Sequence, residues 1–249
     1  MYPYLHIFGT AIPVYFLFLS LVFTLIVPVI VKRAELLKLS PHFALDLYIF
    51  VLLGSFVGAR AFYILYQEPS FYYINPEQVL YFWNGGYVFF GGFLGSVAVG
   101  TGLCLYRKES IEQWFNFSIV LLSLGYAVGR FACFLSGCCY GEETDVLWSI
   151  FLHGAERHPT QIYASLMEFF VLAVLLILEK KKGFRAFLVL PVWLILHSVG
   201  RVLMEVYRAD PRGDQILGLS VSTLISAGLI LFGLGLLVYK LYFQSKCTE

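Results

Sequence analysis

Residues 129–141 read GRFACFLSGCCYG and combine an arginine with three cysteines at the end of an apolar segment. The run before them, Phe115–Val128, is largely apolar, and the two stretches together are long enough for a membrane helix. An arginine inside hydrocarbon costs several kcal/mol unless it faces protein, water or an anion. Arg130 is therefore a candidate functional residue, and the residues at the same depth indicate what it does.

The composition is that of a membrane protein with several spans. The 249 residues are 59% hydrophobic and 13% charged, whereas a soluble domain is about 25% charged. A net charge of +1 gives no electrostatic support for a nucleic-acid partner. No removable signal peptide is expected, because the first polar break, at Lys32 and Arg33, follows a full-length span without an obvious cleavage site.

The apolar runs predict an all-α membrane fold with seven transmembrane helices in a single domain, residues 1–249. Each crossing of a bilayer needs roughly 20 apolar residues, and no internal repeat or low-complexity linker divides the chain. The predicted spans cover residues 11–31, 44–66, 87–106, 115–136, 160–179, 186–206 and 217–243.

The charges of the connecting loops orient these spans. Basic residues concentrate on alternate loops, and the loops between them carry acidic or mixed charges. By the positive-inside rule, this pattern places the N-terminus outside and the C-terminus in the cytoplasm. The outer loops are then residues 67–86, 137–159 and 207–216, and the inner basic residues include Lys32, Arg33, Lys38, Arg107, Lys108, Lys180, Lys181, Lys182, Arg185, Lys240 and Lys246.

This orientation places several polar residues just below the outer face. Arg130 lies about six residues before the end of its span, roughly 9 Å at 1.5 Å per residue, a depth that suits the phosphate of a phospholipid. Arg201 and Glu205 are one turn apart, and Arg208 follows at i,i+3 from Glu205, so the three share a helix face. Arginines on two helices form a candidate phosphate clamp, because the guanidinium fork matches phosphate oxygens. His197, one turn before Arg201, is a further candidate.

Several of the polar and small residues also have structural interpretations. Arg60 and Arg208 lie near span ends, where an arginine can extend to the headgroups. Tyr15 and Tyr63 could be ordinary interfacial aromatics. The glycine pair 91–92 could allow close helix packing, or it could give a ligand access to backbone amides.

The three cysteines allow more than one interpretation. Cys133 could form a disulfide with Cys138 or Cys139 in an oxidising compartment. The C-x4-C-C spacing is not a usual zinc pattern, although His153 or His158 could complete four ligands, and we expect no metal. A neighbouring cation could make one of the thiols a reactive thiolate. A small buried residue is the simplest interpretation of Cys133.

Taken together, these motifs resemble the prolipoprotein diacylglyceryl transferases of bacterial inner membranes, and the similarity covers most of the chain. That family also has seven spans with the N-terminus outside. The matching motifs are Gly129-Arg130 with the Gly141 loop, the RHPTQIY run from Arg157 to Tyr163, Arg201-x3-Glu205-x2-Arg208, the WNGG run from Trp83 with Gly91-Gly92, and Gly58-x-Arg60 followed by Tyr63.

The resemblance implies a reaction without a cofactor at the outer leaflet of the cytoplasmic membrane. The family moves the diacylglyceryl group of phosphatidylglycerol onto the thiol of a lipobox cysteine in a secreted precursor, and glycerol phosphate leaves. By resemblance, Arg130 and Arg201 bind the phosphate and stabilise the leaving group, while Glu205 holds Arg201. The resemblance further implies substrate-binding roles for Tyr15, Arg60, Tyr63, Gly91, Gly92, Gly141, His158 and Arg208.

The chain departs from the family pattern where the acceptor would be activated. The departures are Phe90 for a histidine, Cys133 for an asparagine, His197 for a tyrosine, Ala164 for an acidic residue and Thr223 for a glutamine. We therefore count His197, as a replacement base, and Cys133 among the candidate catalytic residues. The alternatives are a divergent paralogue with another acceptor and a non-catalytic protein that binds or transports lipid.

Overall fold

The computed structural model describes residues 4–7, 10–82, 85–180, 188–210, 215–216 and 218–247. These residues form eight α-helices, a π-helical turn at Tyr63–Gln67, a 3-10 turn at Pro76–Leu80 and three two-stranded hairpins. The helices are α1 (Val14–Leu36), α2 (Pro41–Phe62), α3 (Pro69–Ile74), α4 (Phe89–Arg107), α5 (Ile111–Ser136), α6 (Thr160–Lys180), α7 (Val189–Val206) and α8 (Val221–Cys247).

Short antiparallel hairpins lie between or before the helices. Their strands are β1 (Tyr4–Ile7) with β2 (Thr10–Pro13), β3 (Ile150–Leu152) with β4 (Ala155–Arg157), and β5 (Gln215–Ile216) with β6 (Leu219–Ser220). Because Thr10–Pro13 pairs as a strand, α1 begins at Val14, three residues later than the predicted first span.

The prediction of a mostly helical membrane protein is confirmed. Among the described residues, six helices are long and apolar enough to cross a membrane, and they coincide with six of the predicted spans. The predicted third span, residues 87–106, falls on α4, which is not among these six. The six helical segments are Val14–Leu36, Pro41–Tyr66, Ile111–Ser136, Thr160–Lys180, Val189–Val206 and Val221–Tyr242.

Helix ends differ from the predicted span ends where polar residues continue a helix beyond its apolar run. The first helix extends to Leu36 and carries Lys32 and Arg33 on its last turns. The fourth predicted span begins earlier, at Ile111, because the Ser110 hydroxyl accepts a hydrogen bond from the amide of Gln113 at 3.4 Å. Predictions that involve Trp83, Asn84, Lys181, Lys182, Arg185, residues 186–187, 211–214 and 217 lie outside the described residues.

One of two compact units, Val27–Trp114, is built on α2 packed against α4. Glycines bring these two helices into backbone contact: a Cβ on Gly91 would lie 2.3 Å from the carbonyl oxygen of Gly58, and one on Gly95 would lie 2.2 Å from that of Gly54. The structure thus uses Gly91 for close helix packing, the first of its two interpretations.

The other compact unit comprises residues 1–26 and 115–249. Helix α7 packs against both α6 and α8, and a cluster of buried aliphatic side chains joins α5, α6 and α7. A hydrogen bond of 2.7 Å from the Ser165 hydroxyl to the carbonyl of Ala127 ties α6 directly to α5. These contacts fix α5, which carries Arg130, and α7, which carries His197 and Arg201, against α6.

Candidate functional site

The loop that follows Arg130 is anchored on the first turn of α6. Gly137 and Cys139 adopt positive φ values of 73° and 57°, which turn the chain back at the end of α5. Thr160 then donates its hydroxyl to the carbonyl of Cys139, and Gln161 donates its amide to the carbonyl of Cys138, both at 2.6 Å. The sequence motif around Thr160 and Gln161 therefore positions the cysteine loop.

Gly141 marks the place where this loop meets the chain after α7. It forms an isolated antiparallel bridge with Arg208, and its amide donates to the carbonyl of His158 at 3.2 Å. A Cβ at this position would lie 2.6 Å from that same carbonyl oxygen and 2.8 Å from the carbonyl oxygen of Tyr207. Only glycine fits here without moving backbone, so Gly141 has a positioning role.

Three arginines line one cleft that is partly open to solvent, which we call the arginine cavity. Arg130 reaches it from α5, Arg201 from α7 and Arg208 from the segment after α7. Such a convergence of guanidinium groups provides donors for several oxygens of one phosphate. The other residues that line it include Cys139, Thr160, Gln161 and Met204.

Each of the three guanidinium groups has a partner that orients it. Arg130 donates a hydrogen bond to the Tyr126 hydroxyl and lies over the Tyr126 ring, 4.5 Å from its centroid. Arg201 lies 3.5 Å from the Glu205 carboxylate, which is the predicted i,i+4 pair. Arg208 forms two hydrogen bonds with the Asp210 carboxylate, at 2.8 and 2.7 Å, a pair that is not among the sequence predictions.

A second cleft, the histidine cavity, shares Arg201, Ala164 and Met204 with the arginine cavity. Its lining includes His197, Glu168 and Tyr126. Because Arg201 lines both clefts, a molecule whose phosphate contacts Arg201 would place the atoms next to that phosphate near the imidazole of His197.

The imidazole of His197 is held by a buried carboxylate. Its Nδ1 lies 2.7 Å from Oε2 of Glu168, and Oε1 of that carboxylate accepts hydrogen bonds from Ser123 at 2.7 Å and Trp193 at 3.1 Å. The ring stacks on Trp193 and meets Tyr126 edge to face. An ionised carboxylate can only accept, so beside it Nδ1 donates the proton, and in a neutral imidazole the lone pair is then on Nε2.

Sequence reasoning singled out His197 but missed Glu168, which is 2% exposed. The signal was present: Glu168 is a lone acid in the apolar middle of α6, and an intramembrane carboxylate implies a function and a partner. It lies one turn after Ala164, the position where the family pattern has an acidic residue. The chain thus carries a carboxylate one turn further along the same helix.

The three cysteines after Arg130 form a thiol cluster. The Sγ atoms of Cys133, Cys138 and Cys139 all lie within 4.8 Å of one another, and all three thiols are free. Hydrogen bonds from Cys133 and Cys138 hold the pKa of Cys139 well below the usual thiol range, and Arg208 and Arg130 contribute in the same direction. The pKa of Cys138 is raised, since its bond to Cys139 and its burial outweigh the lowering effect of Cys133.

Two other predicted residues lie near this region. Tyr15, on the first turn of α1, lies near Arg130 and the thiol cluster. His158 places its Nδ1 3.1 Å from the Tyr163 hydroxyl and its ring 5.3 Å from that of Tyr207. His158 therefore braces the loop that carries Gly141.

Arg60, in the unit Val27–Trp114, is 7% exposed and is surrounded by backbone carbonyls. Its Nη1 donates to Gly85 and, at 3.3 Å, to Gly86, while Nη2 donates to Gln78 at 3.0 Å and Tyr81 at 3.3 Å. The guanidinium thus organises the segment between α3 and α4 rather than extending to headgroups.

The remaining predicted residues, Tyr63, Gly91 and Gly92, belong to the same unit. Tyr63 begins the π-helical turn and meets Tyr72 edge to face at 6.3 Å. A Cβ on Gly92 would lie 3.0 Å from the Ser55 hydroxyl, so Gly92 also serves the contact between α2 and α4.

Comparison with known proteins agrees with the resemblance read from the motifs. The family model for prolipoprotein diacylglyceryl transferase matches residues 3–239. A phosphatidylglycerol–prolipoprotein diacylglyceryl transferase from Bordetella parapertussis is 32% identical over 200 residues, covering 78% of this chain and 76% of the relative. Proteins of the same name from Finegoldia magna (29% over 228 residues, 91% and 90% covered) and Nitrosomonas europaea (32% over 210 residues, 81% and 74% covered) are also similar.

Proposed function

Since the chain belongs to the prolipoprotein diacylglyceryl transferase family, we propose that it moves the diacylglyceryl group of phosphatidylglycerol to a prolipoprotein, as the names of its relatives describe. The arginine cavity is the observation that links this activity to particular residues, because three guanidinium groups line one cleft there. The protein is accordingly a membrane transferase with an anionic phospholipid as donor.

The arginine cavity supplies the site for the phosphate. Arg130 and Arg201 bind its oxygens, and Glu205 keeps the guanidinium of Arg201 in position. In the reaction, the bond between the diacylglyceryl carbon and the phosphate oxygen breaks, and glycerol phosphate leaves with the electron pair of that bond. Fixed guanidinium groups stabilise the negative charge on this leaving group in a site of low dielectric.

The histidine cavity supplies the base. The acceptor sulfur attacks the diacylglyceryl carbon to form a thioether, and its thiol proton passes to Nε2 of His197. Glu168 holds Nδ1 at 2.7 Å, so that the lone pair on Nε2 is available and the imidazolium that forms is stabilised. This pair takes over the role of the histidine that the family pattern has at Phe90.

The acceptor and the orientation complete the proposal. The acceptor is the thiol of a lipobox cysteine, and the site opens toward the outer leaflet of the bacterial cytoplasmic membrane, with the N-terminus outside and the C-terminus in the cytoplasm. Helix α4, third among the predicted spans, brings the number of spans from six to seven. Its 19 residues are about 28 Å long at 1.5 Å per residue, which is enough to cross the hydrocarbon layer. The alternation of basic and acidic loops supports this orientation.

The test is transfer by the purified protein in phosphatidylglycerol vesicles with a lipobox peptide. Mass spectrometry of the thioether peptide and of released glycerol phosphate gives both products. We expect Arg130→Ala, Arg201→Ala and His197→Ala each to lower the rate by about 100-fold or more. Arg107→Ala is the matched control, because Arg107 pairs with Asp46 at an exposed site. Unchanged turnover in all three variants would refute the assignment.

A second candidate function, lipid binding without catalysis, is favoured by one observation: Phe90 stands where the family pattern has a histidine. The same assay separates the two functions. Phosphatidylglycerol that binds to the wild-type protein and is recovered unmodified in the presence of the peptide would favour the non-catalytic function.

A further inference from the structure

The thiol cluster is created by backbone turns that bring together residues five and six positions apart. Cys133 lies on the last turns of α5, and the amide of Cys138 donates to its carbonyl at 3.2 Å. The positive φ of Cys139 then directs its side chain toward the sulfurs of Cys133 and Cys138. The result is three Sγ atoms that lie within 4.8 Å of one another.

Hydrogen bonds from α6 and a contact from the Ser136 hydroxyl hold the thiol cluster in place. Gln161 and Thr160 on α6 fix the carbonyls of Cys138 and Cys139 at 2.6 Å each, so the two thiols are carried by a loop with little freedom. The Ser136 hydroxyl adds a contact of 3.2 Å to the sulfur of Cys138. Ligands that are already in place bind a metal with less ordering cost.

The distances suit a metal ion bonded to three sulfurs. With a metal–sulfur bond of about 2.3 Å, the sulfurs of a trigonal site lie about 4.0 Å apart. The observed limit of 4.8 Å therefore needs only small side-chain rotations. Among the described residues, the cluster contains three thiols and no histidine or carboxylate as a fourth ligand. Structural zinc takes four ligands, whereas soft thiolates also select copper(I), an ion that accepts three.

The surrounding charges favour thiolates at this place. The side chain of Cys139 lines the arginine cavity together with Arg130 and Arg208. A copper(I) ion with three thiolates carries a net charge of −2, and Arg130 and Arg208 beside it offset part of that charge, because Arg208 is also paired with Asp210. Neutral thiols would gain nothing from these neighbours.

We propose that Cys133, Cys138 and Cys139 form a three-thiolate binding site for copper(I). From the sequence alone no metal is expected, because the C-x4-C-C spacing does not show that the three sulfurs converge. The site lies outside the steps of the transfer reaction, and binding of copper(I) does not depend on the proposed function.

Anaerobic titration of the reduced, full-length protein in detergent tests this proposal, with copper(I) supplied in competition with a chromophoric chelator. We expect one equivalent of copper(I) and the ultraviolet charge-transfer absorption of a copper(I)–thiolate complex. Cys138→Ser, Cys139→Ser and Cys133→Ser should each weaken binding by at least about tenfold. Cys138 is exposed, so its serine variant keeps the test valid if Cys133→Ser fails to fold.

Cys104→Ala is the control, since Cys104 lies on α4 outside the cluster. Its affinity for copper(I) should equal that of the wild-type protein. Binding that is the same in wild type and Cys138→Ser would overturn the proposal, as would less than half an equivalent of copper(I) in protein whose thiols are shown to be reduced. Tighter binding of zinc than of copper(I) would also overturn it.

Discussion

The carboxylate of Glu168 lies 2.7 Å from Nδ1 of His197, and the two residues come from different helices, α6 and α7. The same carboxylate is fixed by Ser123 and Trp193, so its position does not depend on the imidazole alone. Such a buried carboxylate sets the tautomer of a histidine and stabilises its protonated form. This relationship supports the proposal that His197 is the base, although Phe90 replaces the family's histidine.

The variant Glu168→Gln tests this role of the carboxylate. We expect kcat to fall by about 10–100-fold while KM for phosphatidylglycerol changes by less than about threefold, because the amide disturbs the imidazole but not the arginine cavity. Steady-state kinetics with the lipobox peptide measure both constants. Glu168→Asp should recover part of kcat. A loss confined to KM, or equal losses in Gln and Asp variants with lowered thermal stability, would indicate a merely structural role.

The contact between α2 and α4 gives a prediction about stability. Gly91→Ala should lower Tm, since its Cβ would lie 2.3 Å from the carbonyl oxygen of Gly58 and overpacking of this kind costs about 1–3 kcal/mol. Gly102→Ala on the same helix is the matched control, because a Cβ there meets nothing within 4 Å. Thermal unfolding in detergent compares the two, and equal Tm values would argue against close packing at Gly91.

The lowered pKa of Cys139 predicts a distinctive pH dependence of alkylation. A thiol with a lowered pKa stays a thiolate as the pH falls, so labelling of Cys139 by iodoacetamide should change little between pH 8 and pH 6. Cys138, whose pKa is raised, should lose about tenfold in rate per pH unit over the same range. Peptide mapping by mass spectrometry measures both rates in one sample. Parallel pH dependences at the two residues would contradict the assignment.

Copper(I) and the donor lipid should oppose each other. Cys139 lines the arginine cavity, so a negatively charged copper–thiolate complex competes with a phosphate for Arg130 and Arg208. We expect phosphatidylglycerol to weaken copper(I) binding by about fivefold or more, and copper(I) to weaken lipid binding by the same factor. Vesicles of phosphatidylcholine alone are the control. Equal copper affinities in both lipids would show that the two sites are independent.

Much of the fold could be predicted from the sequence, because membrane helices must be long, apolar and bounded by polar loops. The presence of Arg130 and Arg201 at a candidate site could also be predicted, since an arginine is costly inside a span, and the structure places both along one cleft. The pairing of Glu168 with His197 was not, because it depends on the rotation of α6 against α7. Likewise, the convergence of the cysteines depends on the left-handed backbone of Cys139, which residue spacing does not reveal.

Arg60 differs from Arg130 and Arg201 because its guanidinium donates hydrogen bonds to backbone carbonyls. Sequence position suggested an extension to the headgroups, and the resemblance implied substrate binding, which stays a prediction. Against the extension to the headgroups, the structure surrounds the guanidinium with the backbone carbonyls of Gln78, Tyr81, Gly85 and Gly86. These hydrogen bonds come from a turn whose path cannot be read from hydropathy.

The central claim is that Arg130 and Arg201 bind the same phosphate of one anionic lipid. The most direct measurement is the dissociation constant for phosphatidylglycerol of wild type, Arg130→Gln, Arg201→Gln and the double variant, with Arg107→Gln as control. Each single change should raise the dissociation constant about tenfold or more. If the two arginines bind one phosphate, the fold-increase of the double variant should differ from the product of the two single fold-increases by more than about twofold. Single effects that multiply within error, or constants unchanged from wild type, would contradict the claim.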